Sequence, residues 1–329
     1  MAITAPALAG DTIFMGAAHI CYDTTSGSEK YIWCEGDVTV ELKRTDLDVP
    51  VSGFGQITNP STDEVVEVKF TPASRVDSSI LSWMFGSLFS ARPGASYFGS
   101  SSHPLWVHTM DGRVLKISNC LPTSWPGVCF GVAQKRWNGQ VTCTGILKRG
   151  AARTASNALF TPWADLSWTL SPDESDFPQQ VCEAKWAGIG SGNTVLQAME
   201  GWTLSVQPSL KPLTVSNLGT IDYRVQDVVI EVSAIPANAS EADLWGTSAL
   251  GASRALGTPL AGGQMTIMED YPGLCATLPN MVWAERPTRF DPENPIAGQC
   301  KWRSRRVHDG TGWASIATLA MAAAPSNNG

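Results

Sequence analysis

Short segments with alternating hydrophobic and polar residues recur along the chain. The alternation has a period of two in DVTVEL (37–42), EVVEVKF (64–70), LWVHT (105–109), VLKI (114–117) and QVTCTGI (140–146). Because successive side chains of a β-strand point to opposite faces, this period predicts strands with one buried face. Turns are expected between them, since the 329 residues include 30 Gly and 21 Pro. The pattern predicts a mainly β protein.

Three dipeptides predict where strands turn back. Asp111-Gly112 lies between two alternating segments in HTMDGRVLKI and predicts a hairpin tip. Asn138-Gly139 and Asp309-Gly310 tolerate the positive φ angles of a type I′ turn, so each predicts a further hairpin.

Two segments, near 75–86 and 239–249, predict short helices. Each follows a Pro-Ala pair and a residue that can cap a helix N-terminus, Ser74 in one case and Asn238 in the other. Strands separated by turns, with a single helix in each group, are typical of a β-sandwich or barrel.

A long internal repeat links the two halves of the chain. VSGFGQITNPSTDEVVEVKFTPA (51–73) aligns without a gap with VSNLGTIDYRVQDVVIEVSAIPA (215–237), and ten of the 23 positions are identical. Other features follow in the same order in both halves: EGDVTVEL (35–42) with EGWTLSVQ (200–207), Trp83 with Trp245, KISNCLP (116–122) with ATLPNMV (276–282), and QKRWNGQVTCTGIL (134–147) with SRRVHDGTGWASIATL (304–319). The chain is therefore predicted to be a tandem duplication, with domains at 1–164 and 165–329.

Eight cysteines are scattered without a CxxC pair: 21, 34, 120, 129, 143, 182, 275 and 300. Metal clusters need close ligand spacing, which this distribution lacks. Cys143 shares a predicted strand face with Val141 and Leu147, so we interpret it as a reduced thiol used as a small hydrophobe. A disulfide framework is not expected in a chain of this length without a secretion signal.

The charge is distributed unequally between the halves. The formal net charge is −7; residues 1–164 carry 13 basic and 13 acidic side chains, and residues 165–329 carry 10 and 17. KWRSRR (301–306) opposes this trend, and on a strand Lys301, Arg303 and Arg305 would share one face. Three interpretations remain open for it: a solvated outer face, a contact with acidic residues of a neighbouring domain, and a phosphate contact. QKR (134–136) occupies the comparable place in the first half.

No arrangement of residues indicates an enzyme, a metal or a cofactor. The four histidines are His19, His103, His108 and His308, and the spacing of His103 and His108 is not that of a HExxH zinc site. No GxSxG motif occurs. DESD (173–176) is interpreted as a solvated loop and GIGSGNT (188–194) as a hairpin loop. Carboxylates that are distant in sequence leave a glycosidase open.

No segment predicts a membrane span or a signal peptide. No apolar run reaches the roughly 20 residues that a membrane helix needs. The N-terminal MAITAPALAG lacks a basic region and a long apolar core. We therefore expect no membrane association.

The first half resembles the tail tube (major tail) proteins of long-tailed bacteriophages. The resemblance covers most of 10–150. It rests on the order and spacing of IFMGAAHICYD (13–23), CEGDVTVELKRTDLDVPVSGFG (34–55), VVEVKFTPAS (65–74), ILSWMFG (80–86), PLWVHTMDGRVLKISNCLP (104–122) and RWNGQVTCTGIL (136–147). The second half is similar but departs from the pattern at ATLPNMVWAERPTRFDPENP (276–295).

The resemblance implies two tandem β-sandwich or barrel domains of tail-tube type, each with one short helix. It also implies self-assembly into stacked rings around a channel through which DNA passes without specific binding. Since such rings contain six domains, a two-domain chain would form trimers with pseudo-sixfold symmetry. The implied partners are further copies of the chain, a tape-measure protein and tail completion proteins. The implied location is the virion tail, assembled in the host bacterial cytoplasm.

Further expectations follow from the tube. The channel lining is expected to be acidic, because an acidic surface lets DNA slide. The loop YDTTSGSEK (22–30) is a candidate ring-to-ring contact. The 13 Trp residues either fill the two cores or also serve interfaces. Two other functions remain open: a distal tail or baseplate ring protein, and a carbohydrate-binding adhesive β-protein with exposed Trp.

Overall fold

The chain folds mainly into β-strands that form two large antiparallel sheets. The structure is a computed structural model. It describes residues 13–23, 30–46, 49–51, 55–58, 61–73, 78–89, 91–101, 103–109, 114–130, 136–146, 160–163, 186–189, 198–215, 218–236, 263–268, 274–285, 299–304 and 317–321. The mainly β class predicted from the alternation is confirmed.

The described strands and the described helix are, in chain order, β1 (Ile13–Asp23), β2 (Lys30–Asp46), β3 (Val49–Val51), β4 (Gly55–Thr58), β5 (Ser61–Pro72), α1 (Ser78–Phe89), β6 (Ala95–Ser96), β7 (Leu105–Thr109), β8 (Val114–Ile117), β9 (Cys120–Ser124), β10 (Gly127–Phe130), β11 (Trp137–Asn138), β12 (Val141–Gly145), β13 (Phe160–Trp163), β14 (Trp186–Ile189), β15 (Ala198–Val215), β16 (Gly219–Pro236), β17 (Gly263–Met268), β18 (Leu274–Glu285), β19 (Cys300–Ser304) and β20 (Thr318–Met321).

The first sheet is built entirely from the first half of the chain. Its order is β13-β8-β7-β1-β2-β5-β12-β9. The long hairpin of β2 and β5 lies near its centre, and β3 and β4, which come between these strands in the sequence, pair with each other in a separate small ladder.

The second sheet contains strands from both halves. Its order is β11-β10-β15-β16-β19-β18-β17-β14, with β20 pairing to β18 and β6 pairing to β16. Strands β6, β10 and β11 come from the first half, so the first half supplies part of the second sheet. The boundary at 164/165 stays a prediction, and the two halves are joined across it by backbone pairing.

The central hairpin of each sheet has the same register. Val40 lies opposite Val68 in the hairpin of β2 and β5. The residues 164 positions later, Leu204 and Val232, lie opposite each other in the hairpin of β15 and β16. Every cross-strand pair from Thr39–Lys69 to Thr45–Asp63 has a counterpart 164 positions later in the hairpin of β15 and β16. The sequence repeat is therefore also a repeat of backbone geometry.

Both hairpins carry a bulge in the same part of their first strand. The register shifts between Glu35 and Thr39 in β2, and between Ala198 and Trp202 in β15. Each bulge contains a glycine at positive φ, Gly36 at 72° and Gly201 at 77°. Such a backbone angle favours glycine, which explains why a glycine occurs at this bulge in both halves.

The bulge also corrects the alignment of 35–42 with 200–207. That alignment is right for the glycines but one residue out for the strands, because Thr39 pairs with Lys69 as Thr203 pairs with Ser233, so that Val38 corresponds to Trp202. Val38 and Trp202 are both fully buried. In a strand, a shift of one residue exchanges the buried and exposed faces, so burial agrees with the structural correspondence.

The strands beside the two hairpins also correspond. β12 pairs with β5 as β19 pairs with β16, and β13 pairs with β8 as β20 pairs with β18. Cys143 lies opposite Val68, and Trp302 opposite Val232. The predicted alignment of 134–147 with 304–319 is therefore wrong at β12, whose place is taken by residues 300–304. That alignment followed the turn dipeptides, and the spacing around them differs between the halves.

The turn predictions have mixed outcomes. β7 and β8 form the hairpin predicted around Asp111-Gly112. Gly139 has the predicted positive φ, 108°, but no hairpin forms there, because β11 pairs with β10 while β12 pairs with β5 and β9. Asn138-Gly139 therefore connects the two sheets. Asp309-Gly310 lies outside the described residues.

Helix α1 begins and ends about three residues later than predicted. Its buried side chains recur every three or four residues, at Ile80, Leu81, Met84, Phe85 and Leu88. This spacing gives the helix one apolar face. The helix contacts β16 and β20 of the second half, and the buried indole of Trp125 donates to the carbonyl of Met84 at 2.6 Å. The helix predicted at 239–249 lies outside the described residues.

One continuous hydrophobic core includes side chains from both sheets. Among the 13 Trp residues, the side chains of seven are described, and six of these are buried: Trp33, Trp106, Trp125, Trp137, Trp202 and Trp302. Over the described ranges, no helix has the length and apolar character needed to cross a membrane.

We predict that Gly145→Ala destabilises the protein by about 1–3 kcal/mol, because a Cβ at position 145 would lie 2.6 Å from Cγ2 of Ile117, a stiff branched side chain. Gly86→Ala is the matched control. Gly86 lies on the exposed face of α1, where alanine should stabilise the helix by about 0.5–1 kcal/mol. Urea unfolding of both variants measures these effects, and equal effects would contradict the packing described for Gly145.

Candidate functional site

The junction between the two halves is centred on Asp63 of β5. Its carboxylate accepts two hydrogen bonds from Thr220 of β16, one from the backbone N–H and one from the hydroxyl, both at 2.6 Å. It also accepts the N–H of Glu64 at 2.9 Å. Hydrogen bonds to a charged acceptor are stronger than those between neutral groups, so this carboxylate binds the tip of the second hairpin tightly.

Gly219 permits this close approach. Its φ is +70°, and a Cβ there would lie 2.5 Å from Oδ1 of Asp63 and 3.3 Å from its Cα. Any side chain would therefore collide with the first half. Gly219 is repeated as Gly55 in the first half, but the sequence alone did not show that this glycine allows a carboxylate to approach.

Strand β10 continues the junction through backbone pairing. Val128, Cys129 and Phe130 pair with Leu204, Thr203 and Trp202 of β15. The other edge of β10 pairs with β11, and the buried Arg136 donates to the carbonyl of Cys129 at 3.3 Å. The first half therefore completes the edge of the second sheet.

A third contact joins residues 94–98 to β16. The backbone N–H groups of Gly94 and Tyr97 donate to the carbonyls of Val225 and Tyr223 at 2.7 and 2.8 Å. The buried carboxylate of Asp222 accepts the hydroxyl of Ser96 at 2.5 Å and the N–H of Phe98 at 3.1 Å. Because buried carboxylates are costly unless they are hydrogen-bonded, these contacts hold segment 94–98 on the second half.

The electrostatics of the junction keep Tyr223 neutral. Burial raises the pKa of Tyr223, and the nearby carboxylates of Asp63 and Glu67 raise it further. Burial disfavours the charged form of Glu67 as well, but hydrogen bonds from Lys43 and Lys69 outweigh it and lower the pKa of Glu67. At neutral pH the junction therefore contains a protonated phenol beside the ionised carboxylate of Glu67.

The basic cluster is partly neutralised within its own sheet. Lys301 lies 3.0 Å from Glu285, and Arg303 lies 3.1 Å from Glu231 on the adjacent strand. These acidic residues belong to the same half, so the ion pairs of Lys301 and Arg303 are made within the second half. Arg305 lies outside the described residues.

The structure brings together two histidines that are distant in sequence. His19 and His108 are cross-strand neighbours whose ring centroids are 4.6 Å apart, and both are buried. Burial, with a smaller contribution from His108, lowers the pKa of His19 from 6.5 to about 4. The alternation did not predict this pair, because their proximity depends on the pairing of β1 with β7. His103 lies elsewhere, with Nε2 3.0 Å from the carbonyl of Phe98.

The described residues contain no cluster of metal-ligating side chains. No group of three or more His, Cys, Asp or Glu side chains in this part of the chain is arranged to hold a metal ion. The seven described cysteines form no disulfide, and Cys143 is fully buried beside Val141, as predicted. A groove at the junction is lined by Ser96, Phe98, Gly99, Ser100, Ser101, Asn119 and Ile221, which include no acid or base. The segments DESD and the loop of GIGSGNT lie outside the described residues.

No known protein family matches the chain, and no curated protein sequence matches it.

We predict that Asp63→Ala lowers the free energy of unfolding by about 2–4 kcal/mol, because it removes two charge-assisted hydrogen bonds that join the halves. Ser209→Ala is the control, since Ser209 makes only a 3.4 Å exposed hydrogen bond, to Gln226 within the hairpin of β15 and β16. Guanidinium unfolding of both variants measures the difference. An Asp63→Ala protein as stable as the control would contradict the junction.

We also predict that acid destabilises the protein through His19. The unfolded chain takes up the proton near pH 6.5, whereas folded His19 resists protonation until about pH 4. The contribution of neutral His19 to the free energy of unfolding is therefore complete above pH 6.5, and it falls by about 3 kcal/mol as the pH drops to 4. His19→Phe should reduce this loss. Urea unfolding at pH 7.5 and pH 4.5 tests the prediction, and an equal loss in both proteins would contradict it.

Proposed function

We propose that this protein is a structural subunit of a bacteriophage tail tube, in which three chains form a pseudo-sixfold ring and rings stack into a hollow conduit for DNA. The observation that carries the proposal is the repeated hairpin: over seven cross-strand pairs β15–β16 repeats the register of β2–β5 at a spacing of 164 residues, and each hairpin has a glycine bulge in the same part of its first strand. A chain that supplies two of the six positions in a ring needs two copies of the same structural unit, and the repeated hairpin provides them.

The junction supports the same proposal. Head-to-tail contact between non-identical surfaces produces rings or filaments, whereas contact between identical surfaces produces closed pairs. Within this chain the first half contributes Asp63 and β10, and the second half contributes Gly219–Thr220 and the edge of β15. The halves are therefore joined head to tail, which is the arrangement that extends into a ring.

The remaining features of the proposed tube follow from the resemblance. The proposed partners are further copies of the chain, a tape-measure protein and tail completion proteins, and DNA passes an acidic lining without specific binding. The proposed location is the virion tail after assembly in the host cytoplasm. In this account the protein acts without turnover or a cofactor.

One alternative is disfavoured by a specific observation. A carbohydrate-binding surface uses exposed aromatic rings, but six of the seven Trp side chains that the structure describes are buried and Trp83 is stacked on Tyr22 at 5.0 Å. The other alternative, a distal tail or baseplate ring, uses the same ring without stacking and is separated from the tube by the experiment below.

Negative-stain electron microscopy of the purified protein, with rotational averaging of end-on views, tests the proposed function. The expected result is hollow tubes with six domains from three chains in each ring. Isolated closed rings would instead favour the baseplate function. Monomers at every concentration, also in the presence of tail completion proteins, would contradict both.

The predicted loop 22–30 includes the end of β1 and the first residue of β2, so deletion of residues 24–29, which leaves both strands intact, tests ring stacking. The deletion should leave a folded protein that no longer forms tubes, because this loop is proposed to contact the next ring. Circular dichroism verifies folding, and electron microscopy counts the tubes. Normal tubes from the deletion variant would exclude the loop from stacking.

A further inference from the structure

We infer that the junction inside the chain is repeated between chains: Asp227 of one copy binds the turn around Gly55 and Gln56 of a second copy, as Asp63 binds Gly219 and Thr220. This inference rests on the proposed head-to-tail assembly and assigns its contact residues. It follows from comparing each side of the internal junction with the residues 164 positions away.

The acidic side of the junction is duplicated at Asp227. Asp63 lies opposite Thr45 in its hairpin, and Asp227 lies opposite Ser209 in the equivalent hairpin. Oδ1 of Asp63 accepts the N–H of Glu64 at 2.9 Å, and Oδ1 of Asp227 accepts the N–H of Val228 at 2.8 Å. The two carboxylates therefore have the same local geometry, and Asp227 is exposed.

The receiving side is duplicated at β3 and β4. In the second half, Gly219 lies opposite Val215 at the tip of the hairpin. In the first half, Gly55 lies opposite Val51, the residue 164 positions before Val215.

The next pairs also correspond. Thr220 lies opposite Thr214, and Gln56 lies opposite Pro50. A register shift follows the pair in each ladder, so that Leu213 is opposite Asp222 and Val49 is opposite Thr58. The turn that receives Asp63 therefore has a second copy with the same pairing and the same glycine.

The identities in the sequence repeat agree with this assignment. Gly55 equals Gly219 and Asp63 equals Asp227, whereas Thr220 is replaced by Gln56. The glycine removes the side chain that would collide with the carboxylate, and the backbone N–H of residue 56 remains as donor. The essential parts of the contact are thus present in both halves, and the hydroxyl of Thr220 is not repeated.

A second copy of this chain is the occupant that fits. The first half already presents its Asp63 to the second half of the same chain. The same contact, continued in the same direction, leads from the second half of one chain to the first half of the next. The backbone pairing of β10 with β15 has no counterpart between chains. The edge of β2 equivalent to residues 202–204 of β15, residues 38–40, already pairs with residues 13–15 of β1 in the same chain.

Three variants test the contact. Asp227→Ala removes the carboxylate, and Gly55→Ala places a Cβ where the neighbouring carboxylate must approach. Gln226→Ala is the control, since Gln226 is the exposed neighbour of Asp227 on the same strand. Sedimentation velocity over a range of concentrations measures association, and circular dichroism verifies that each variant is folded.

We expect wild type and Gln226→Ala to associate equally, and Asp227→Ala and Gly55→Ala each to weaken association by about 10- to 100-fold, the equivalent of losing a charge-assisted hydrogen bond. A mixture of Asp227→Ala and Gly55→Ala should form dimers and no larger species. Each such dimer contains one intact interface, made by Asp227 of the Gly55→Ala chain and Gly55 of the Asp227→Ala chain.

The outcomes separate the contact from the proposed function. If wild type and both variants associate equally, the contact is wrong and the ring proposal survives. If wild type forms open filaments or dimers that the variants abolish, the contact is supported and the threefold ring is wrong. If wild type stays monomeric at all concentrations, both are wrong. Should Asp227→Ala fail to fold, Gly55→Ala alone decides, because a folded Gly55→Ala protein that associates normally overturns the contact.

Discussion

The structure depends on one constraint: the N–H and C=O groups along the edge of β15 must be paired. An exposed strand edge presents unpaired N–H and C=O groups and invites pairing with another chain. In the first half, β1 covers the equivalent edge of β2 along much of its length. In the second half, β10 of the first half pairs with β15 at residues 202–204. The second sheet is therefore completed by the first half, and the two halves fold as parts of one core.

The junction combines a general contact with a specific one. Strand pairing uses backbone groups and depends little on side-chain identity, so it supplies stability without selecting a partner. The carboxylate of Asp63 against Gly219 and Thr220 requires a charged acceptor, a glycine and a donor at three defined positions. The sequence repeat preserves the carboxylate and the glycine of this contact. We therefore assign the carboxylate–glycine contact to recognition between copies of the chain.

Much of the central architecture could be predicted from the sequence, since alternation determines which face of a strand is buried. Residues 37–42, 64–70, 105–109 and 140–146 all contribute to strands, and the gapless repeat of 51–73 corresponds to an equal register in both hairpins. The predictions that failed depended on non-local pairing. Gly139 has the positive φ that a hairpin turn at Asn138-Gly139 would need, but the strands flanking this dipeptide belong to different sheets.

The junction itself was missed for the same physical reason. Asp63 and Thr220 are 157 positions apart, and nothing in the local pattern of either residue indicates that they meet. The identities Gly55/Gly219 and Asp63/Asp227 were visible as part of the repeat, but identity alone does not separate a packing role from a contact. The buried pair of His19 and His108 was likewise hidden, because it arises from the register of β1 with β7.

Hydrogen exchange measured by mass spectrometry on free and assembled protein tests the central claim most directly, namely that the junction within the chain is also the junction between chains. The account predicts that the amide of Thr220 is already protected in the free chain, and that the segment containing Gly55 and Gln56 becomes protected only on assembly. Assembly that leaves the exchange of residues 55–58 unchanged, while protecting another surface, would contradict it.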